Sequence, residues 1–399
     1  MRNAATGQYI TCTAGNIHTA ERTAPTANEN FQLMRGRIDV GSTNLRGYWI
    51  ISPSSNWTPA CLQAEANGKT QAATFDIANA ATSQRWLILT QQEMVSLTES
   101  MLAEMKGNVQ QKLDQVKALA SVPHTEDVEG TDQALDATIG GVEQALGAAA
   151  TTSDLQVLID QLDQAAFDFL ANATPTDMNH PFDLTYLITN PIMKNAAGWS
   201  DTPTLNYSCA EFYEKAFDFN QTIQHLPAGT YQMRVQGFQR PGRATECGDA
   251  SVTAYVYAGI KSARINHITV DAQTTKQGGS ESYAYGKYFP NNMQAASIYF
   301  DKGYYENCVT AGLGVDGGNL KIGLRCGTMD SYYWCIFNNF RLYYYGSHTT
   351  AEVDGIDTTI ADTPLTGKRR IYHLDGRQVA GDHLAPGIYI VDGKKIIVK

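Results

Sequence analysis

The feature that most constrains the fold is a change in the spacing of apolar residues along the chain. From residue 91 to residue 175 apolar residues recur every three or four positions, beginning with Met94, Leu97 and Met101, which predicts amphipathic helices. On both sides, short alternating runs separated by Gly, Asn, Ser and Pro predict β-strands. We therefore expect a multidomain, mainly β protein with an α-helical insert.

The length of 399 residues exceeds what one hydrophobic core usually serves, so we expect several domains. The changes in pattern divide the chain into four segments: a β-domain at 1–90, a helical bundle at 91–175, a β-sandwich at 176–348 and a small C-terminal β-module at 349–399.

The helical segment predicts three antiparallel helices that form a bundle. Between residues 90 and 175 there are fourteen acidic residues and three lysines, a net charge of −11, which is typical of the solvated face of a rigid spacer. Capping boxes and prolines mark the expected ends: Thr90-x-x-Glu93 and Pro123 for the first helix, Ser153-x-x-Gln156 and Pro175 for the third. The segment resembles small helical modules of secreted carbohydrate-active proteins.

Composition excludes some classes of function. The formal net charge is −10, which argues against nucleic-acid binding. No run of about 20 apolar residues is present, so no transmembrane segment is expected. The seven cysteines contain no C-x-x-C motif; Cys12 with Cys61 and Cys326 with Cys335 are two candidate disulfides, and buried free thiols are the alternative.

The C-terminal 29 residues predict two β-hairpins. Asp375-Gly376 and Asp392-Gly393 can each supply a two-residue turn between runs of β-branched and aromatic residues. The segment resembles the C-terminal sorting domain of type IX secretion. That resemblance implies a protein that is secreted by a Gram-negative bacterium or held on its outer surface. No signal peptide stands at Met1, and we expect that one has been removed or that the start is truncated.

The N-terminal segment has a weak internal repeat. Gly7-Gln-Tyr-Ile10 is echoed by Gly47-Tyr-Trp-Ile50, and Gln84 and Trp86 form a Q-x-W motif. This motif resembles ricin-type β-trefoil lectins, in which the Trp belongs to the core and the sugar site lies on preceding loops. A trefoil needs three repeats and two are visible, so the resemblance is partial.

The segment 176–348 alternates clearly and has turns every 8–15 residues without helical stretches, which predicts a two-sheet sandwich. It resembles galactose-binding-like jelly-roll modules of the carbohydrate-binding type. The strings that carry the resemblance are Leu187-Ile-Thr-Asn-Pro-Ile192 with Gly198-Trp199, Leu226-Pro-Ala-Gly-Thr-Tyr231, Asn319–Leu324 and Trp334–Tyr343. The family often has Asp where this chain has Asn338, which puts a structural calcium in doubt because an amide is a weaker ligand than a carboxylate. No other cofactor is expected.

A sugar site needs aromatic platforms and planar hydrogen-bonding groups. By the family resemblance, the loop after the strand ending at Phe238 meets the loop before Trp334 at one rim. The alternation with Ile336 places Trp334 itself in the core. The candidate ligand-binding residues are Arg240, Tyr332, Tyr333, Trp199 and Tyr304.

The resulting hypothesis is a non-catalytic, secreted or cell-surface glycan-binding or adhesion protein whose β-domains bind a glycan or polysaccharide by avidity. The first alternative is a structural subunit of an extracellular assembly that binds other surface proteins. The second is an accessory or divergent glycoside hydrolase, which needs two opposed carboxylates. Among the carboxylates of segment 176–348 the sequence shows no pairing. The chain has no G-x-S-x-G motif, no H-E-x-x-H motif and no P-loop, so no catalytic residue is assigned.

Overall fold

A computed structural model describes residues 8–13, 16–20, 31–40, 43–52, 60–65, 70–74, 82–243, 253–328, 330–357, 371–373, 379, 387–391 and 394–398. The chain divides into two compact units, one with residues up to 110 and 148–156, the other with 111–147 and 157–399. Strands in several sheets outnumber the helices of the described part, which confirms a mainly β chain with helices. Among the described helices none is long and apolar enough to cross a membrane.

The N-terminal strands form a two-stranded ribbon and a five-stranded sheet. Their bounds are β1 Tyr9–Thr13, β2 Asn16–Ala20, β3 Gln32–Val40, β4 Thr43–Ser52, β5 Ala60–Ala64, β6 Thr70–Thr74 and β7 Arg85–Leu87. β1 pairs with β2, and the sheet has the order β3-β4-β5-β6 with β7 beside β4. The Gln84 amide donates to Gln63 Oε1 at 3.0 Å, and Trp86 Nε1 donates to the Leu62 carbonyl at 2.9 Å. The Q-x-W residues therefore connect β7 to β5.

Three helices occupy the predicted helical segment: α1 Gln91–Ala120, α2 Thr131–Ala148 and α3 Thr152–Ala171. The capping box of α1 is confirmed, because Glu93 N donates to Thr90 Oγ1 at 3.2 Å and Thr90 N donates to Glu93 Oε2 at 2.7 Å. The predicted cap of α3 at Ser153 is wrong. Thr151 and Asp154 form that box, with Thr151 N donating to Asp154 Oδ2 at 3.0 Å.

Within the larger unit the helices bury one apolar face each and leave their acidic residues outside. The buried side chains include Leu113, Val116 and Leu119 of α1, Leu135, Ile139 and Val142 of α2, and Leu162 and Phe169 of α3. The Lys117 ammonium lies 2.5 Å from Glu143, and Lys112 pairs with Asp163. These two lysines thus link α1 to α2 and to α3.

Two sheets pack face to face in the segment 176–348. Their strands are β10 Phe182–Asp183, β11 Thr204–Asn206, β12 Cys209–Tyr213, β13 Phe217–Leu226, β14 Gly229–Arg240, β15 Tyr255–Ala258, β16 Lys261–Arg264, β17 Asn266–His267, β20 Glu306–Leu313, β21 Gly318–Cys326 and β22 Trp334–Tyr344. The first sheet has the order β11-β12-β22-β14-β17, with β10 beside β22 and β20 beside β14; the second has the order β13-β21-β15-β16. Phe219 of the second sheet lies 5.2 Å from Phe337 and 6.4 Å from Phe340 of the first, measured between ring centroids.

A third layer covers part of the outer face of the first sheet. It consists of a hairpin, β18 Glu281–Ala284 and β19 Lys287–Pro290, and a helix, α4 Met293–Asp301. Its buried residues form one apolar cluster with side chains of β12, β14 and β22. The prediction that this segment lacks helices is therefore wrong. α4 has only nine residues, so its periodicity in the sequence is short. The local sequence signal for this helix was its N-cap residue Asn292, whose Oδ1 accepts from Ala295 N at 2.8 Å.

A joint of close contacts connects the helices of the larger unit to the sheets. Rings of His124, Phe169, Phe182 and Tyr344 follow one another at centroid distances of 5.0, 5.5 and 6.3 Å. The two short strands β8 His124–Glu126 and β9 Ala173–Pro175 pair beside them. Ser347 N donates to Thr174 Oγ1 at 3.0 Å, and Thr174 Oγ1 donates to Asp127 Oδ2 at 2.8 Å.

The C-terminal segment contains α5 Thr350–Val353, β23 Ile356–Asp357, β24 Ile371–His373, β25 Gly387–Val391 and β26 Lys394–Val398, with the sheet order β23-β26-β25-β24. Val391 pairs with Lys394 in an antiparallel ladder, which confirms a hairpin around Asp392-Gly393. The turn at Asp375-Gly376 lies outside the described residues.

Among the described residues, five cysteines are free thiols: Cys61, Cys209, Cys308, Cys326 and Cys335. The candidate disulfide between Cys326 and Cys335 is therefore wrong, and the free-thiol alternative holds for this pair. They belong to different sheets, and burial raises the pKa of both thiols. The side chain of Cys12 and all of Cys247 lie outside the described residues.

We expect Gly346→Ala to lower the free energy of unfolding by about 2 kcal/mol or more. Gly346 has φ +59°, and a Cβ there would lie 2.5 Å from Thr174 Oγ1 and 2.7 Å from the Ala173 carbonyl oxygen. Gly314→Ala is the matched control, because none of the described residues lies within 4 Å of its Cβ position. Urea titration of both variants measures the difference, and equal midpoints would contradict the close packing of the joint.

The stability of the helical region should fall as the pH rises past neutrality. Nδ1 of His124 lies 2.6 Å from the Val122 carbonyl and Nε2 lies 2.8 Å from Asp132 Oδ1, so the doubly protonated ring satisfies both acceptors. Burial lowers the pKa of His124, but these hydrogen bonds and the Asp132 charge raise it overall. The stabilisation is complete below the unfolded pKa, about 6.5, and is lost as pH rises through the raised folded pKa.

Denaturation followed by the helical circular dichroism signal, from pH 5.5 to pH 9, measures this effect. In Asp132→Asn the carboxylate is gone, so the decline in stability with pH should be shallower than in the wild type. Parallel pH profiles of the two proteins would refute a protonated His124 in the native state.

Candidate functional site

One row of side chains crosses the end of the first sheet, where β12 and β14 end and β22 begins. In the strand register Trp334 lies opposite Tyr213 on one side and opposite Arg240 on the other. Residues 330–333 lead into β22, and Arg243 follows β14. We call Glu211, Tyr213, Glu214, Arg240, Arg243, Tyr332 and Trp334 the rim cluster.

The interior side of the rim cluster is fixed by charged hydrogen bonds around Trp334. Its Nε1 donates to Glu211 Oε2 at 2.7 Å, and the Arg240 guanidinium lies 5.0 Å from its ring centroid. Arg240 Nη1 also donates to Asn291 Oδ1 at 2.9 Å, at the edge of the third layer. Burial raises the pKa of Glu211, although the Trp334 hydrogen bond and the Arg240 charge oppose this. These side chains form a hydrogen-bonded polar layer beneath the exposed residues of the rim cluster.

The solvent side of the rim cluster consists of two tyrosines and an arginine. Tyr213 is 46% exposed and Tyr332 is 40% exposed. Arg243 lies over the Tyr332 ring at 4.7 Å from its centroid and donates through Nη2 to the Tyr332 hydroxyl at 3.1 Å. Partial burial and the Glu214 charge raise the pKa of Tyr213. The two loops that the sequence predicted to meet do so here.

The backbone around Tyr332 is held in an unfavourable conformation. Tyr332 has φ +62° and Glu214 has φ +50°, a region that costs a non-glycine residue about 1 kcal/mol or more. Two hydrogen bonds hold the loop to β12: Tyr332 N donates to Glu214 Oε1 at 2.7 Å, and Glu214 N donates to the Tyr333 carbonyl at 2.9 Å. Such strained positions often occur at binding sites, where they hold a side chain in place.

The structure brings together some of the predicted residues and separates others. Arg240 and Tyr332 belong to the rim cluster. Tyr333 is fully buried behind it and donates to Gln239 Oε1 at 2.8 Å. Trp199 stacks on Phe219 between the sheets, with centroids 4.5 Å apart, and Tyr304 packs against the third layer. Tyr333, Trp199 and Tyr304 therefore do not contribute to the exposed face of the cluster.

Trp334 is buried, as predicted, but in the outer cluster under α4 and not between the two sheets. Glu211, Tyr213 and Arg243 were missed by sequence reasoning. Cys209, Glu211 and Tyr213 are spaced two residues apart and so lie on one face of β12. This spacing was a signal in the sequence that Glu211 and Tyr213 lie side by side. What it lacked was the pairing of β12 with β22, which no local pattern shows.

Asn338, where the jelly-roll resemblance places an Asp, is buried and its Oδ1 accepts from Met193 N at 3.0 Å. It therefore holds the 191–193 loop against β22. Across the described residues, no three His, Cys, Asp or Glu side chains cluster closely enough to hold a metal ion.

Comparison with known proteins found no match to this chain: no protein-family model matches it, and no curated protein matches it.

Tyr332→Gly should be more stable than Tyr332→Ala by about 1 kcal/mol, because φ +62° costs glycine nothing and strains alanine. At an unstrained position the glycine variant would be the less stable one, because glycine gives the unfolded chain more conformational freedom. A more stable glycine variant therefore identifies backbone strain at residue 332. Paired thermal and urea unfolding of the two variants measures it. A more stable alanine variant would show that the left-handed conformation does not persist in solution.

Proposed function

We propose that this chain is a non-catalytic glycan-binding protein, secreted by a Gram-negative bacterium or displayed on its outer surface, and that the rim cluster contacts the sugar. The observation that carries the proposal is the pair of half-exposed rings, Tyr213 and Tyr332, next to Arg243. A sugar ring has an apolar face and a belt of hydroxyls, so it is bound by aromatic faces with planar hydrogen-bonding groups beside them. The rim cluster supplies both.

The charged groups of the rim cluster support binding more than hydrolysis. Glu211 is engaged by Trp334 and Arg240, and Glu214 is engaged by the Tyr332 backbone. A glycosidase instead needs one carboxylate ready to protonate the leaving oxygen and another opposite it. The hydrolase alternative would be shown by release of reducing ends that a single Glu211→Gln change abolishes.

Export is supported by the C-terminal strands. Gly387–Val391 and Lys394–Val398 form the hairpin that the sorting-domain resemblance implies. We also propose that the two packed sheets form a jelly roll and that the N-terminal strands form part of a trefoil. Both are folds of secreted sugar-binding modules in the families that the sequence resembles.

A protein-binding role in an extracellular assembly is the second candidate. Ile260 is 98% exposed and Val315 is 95% exposed, both in turns next to strands of the second sheet. Single exposed apolar residues are common, so this observation carries less weight than the rim cluster. Self-association that depends on concentration, without affinity for any glycan, would favour this role.

The test is binding of the full chain to a broad glycan array, followed by affinity measurement for the best hit. We expect Tyr213→Ala and Tyr332→Ala each to weaken binding about tenfold, the effect of removing one stacked aromatic ring. Tyr207→Ala is the matched control, because Tyr207 is 49% exposed at the other end of β12. Its affinity should equal that of the wild type.

Two outcomes would contradict the proposal. One is an array without hits, obtained with protein whose circular dichroism shows it to be folded. The other is an equal loss of affinity in all three tyrosine variants, which would place the sugar away from the rim cluster.

A further inference from the structure

A cavity lies at the opposite end of β14 from the rim cluster. Its volume is ≈ 530 Å³, within the range of roughly 300–1,000 Å³ typical of small-molecule pockets. One wall comes from α3, another from the turn at Thr185–Leu187, and a third from the end of β13. The strand β14 has 12 residues, so about 35 Å of strand separate the two places.

The cavity combines an apolar body with polar groups at its mouth. Its lining includes the apolar side chains of Ala166, Phe167, Leu170, Leu187, Leu226 and Pro227. Asp160 and Asp163 lie three residues apart on one face of α3, and Lys112 of α1 lies beside them. Two carboxylates and one ammonium leave the charged lining with a net charge of −1.

The protein already places one ammonium group in this cavity. The Lys112 ammonium pairs with Asp163 and lies 5.2 Å from the centroid of the Tyr186 ring. A carboxylate together with an aromatic face is the arrangement that binds organic cations in proteins. Asp163 and the Tyr186 ring therefore form a site that favours an ammonium group on a carbon chain.

Tyr186 supplies a further polar group. Within the described part of the chain its hydroxyl makes no hydrogen bond. Burial raises the pKa of Tyr186, and the charges of Asp163 and Asp183 raise it further, so the hydroxyl stays protonated and its oxygen is available to accept. Tyr186 is half-buried, so an ammonium ligand at the mouth of the cavity can reach this oxygen and donate to it.

We propose that this cavity binds a small organic ammonium ion carried on an apolar body. The ammonium lies at Asp160, Asp163 and the Tyr186 hydroxyl, and the body lies against Phe167, Leu187 and Leu226. Lys112 competes for the same carboxylate and the same ring. Aliphatic amines and amino sugars share this chemistry, and the experiment separates them.

The experiment is titration calorimetry of the full chain with two matched pairs of probes. n-Hexylammonium is compared with n-hexanol, and glucosamine with N-acetylglucosamine; within each pair only one member is a cation. We expect the cation of at least one pair to bind saturably and its neutral partner to bind at least tenfold more weakly. Which pair responds distinguishes an aliphatic amine from an amino sugar.

Three variants locate the binding site. One should lower the affinity for the cation, one should raise it and one should leave it unchanged. Asp160→Asn should weaken binding of the cation about fivefold, the upper range for one partly exposed ion pair. Lys112→Met should strengthen it, because Asp163 and the Tyr186 ring lose their internal competitor. Asp136→Asn makes the same charge change on α2, outside this cavity, and should leave the affinity unchanged.

The proposal is overturned if neither cation binds, if cation and neutral partner bind equally, or if Lys112→Met weakens binding. Misfolding cannot produce the expected pattern, since one substitution must raise the affinity. Tyr213→Ala, which alters the rim cluster, should not change the affinity for the ammonium probe, so this result and the glycan result are independent.

Discussion

The antiparallel pairing of β22 with its neighbours is the constraint on which the rest of the larger unit depends. β22 is hydrogen-bonded to β14 along most of its length, to β12 at its start and to β10 at its end. Its first residue, Trp334, stands at the centre of the rim cluster, and the residues just after its last one form the joint with the helices. A single strand therefore determines the geometry at both ends of the sandwich.

An irregularity within β22 determines which residues reach the outer face. The register with β14 shifts after the Arg234–Arg341 pair, and Asn339 has φ +57°. Such a bulge adds a residue and reverses the alternation of faces. Phe337 and Phe340 consequently both face the second sheet, although they are three residues apart. Trp334 lies on the outer face, under α4, for the same reason.

This reversal shows where sequence reasoning succeeds and where it fails. The helices, the α1 capping box and the Asp392-Gly393 hairpin depend on neighbours within a few residues, so local patterns predicted them. Strict alternation across β22 could not reveal the bulge at Asn339. Arg240 and Tyr332 were found because aromatic and guanidinium groups stand out near strand ends. Tyr213 and Glu211 needed a strand pairing more than 120 residues apart in the chain, which is set by tertiary packing.

The joint at Gly346 has a mechanical consequence. Because Ser347 and His348 closely follow β22 and are hydrogen-bonded to Thr174 and Pro175 of β9, a force applied to the helical side enters the sheet at the end of its most extensively hydrogen-bonded strand. Pulling that strand out requires many backbone hydrogen bonds to break together. A load that enters here would in this way cross the joint without disturbing the arrangement of residues at the far end of the strand.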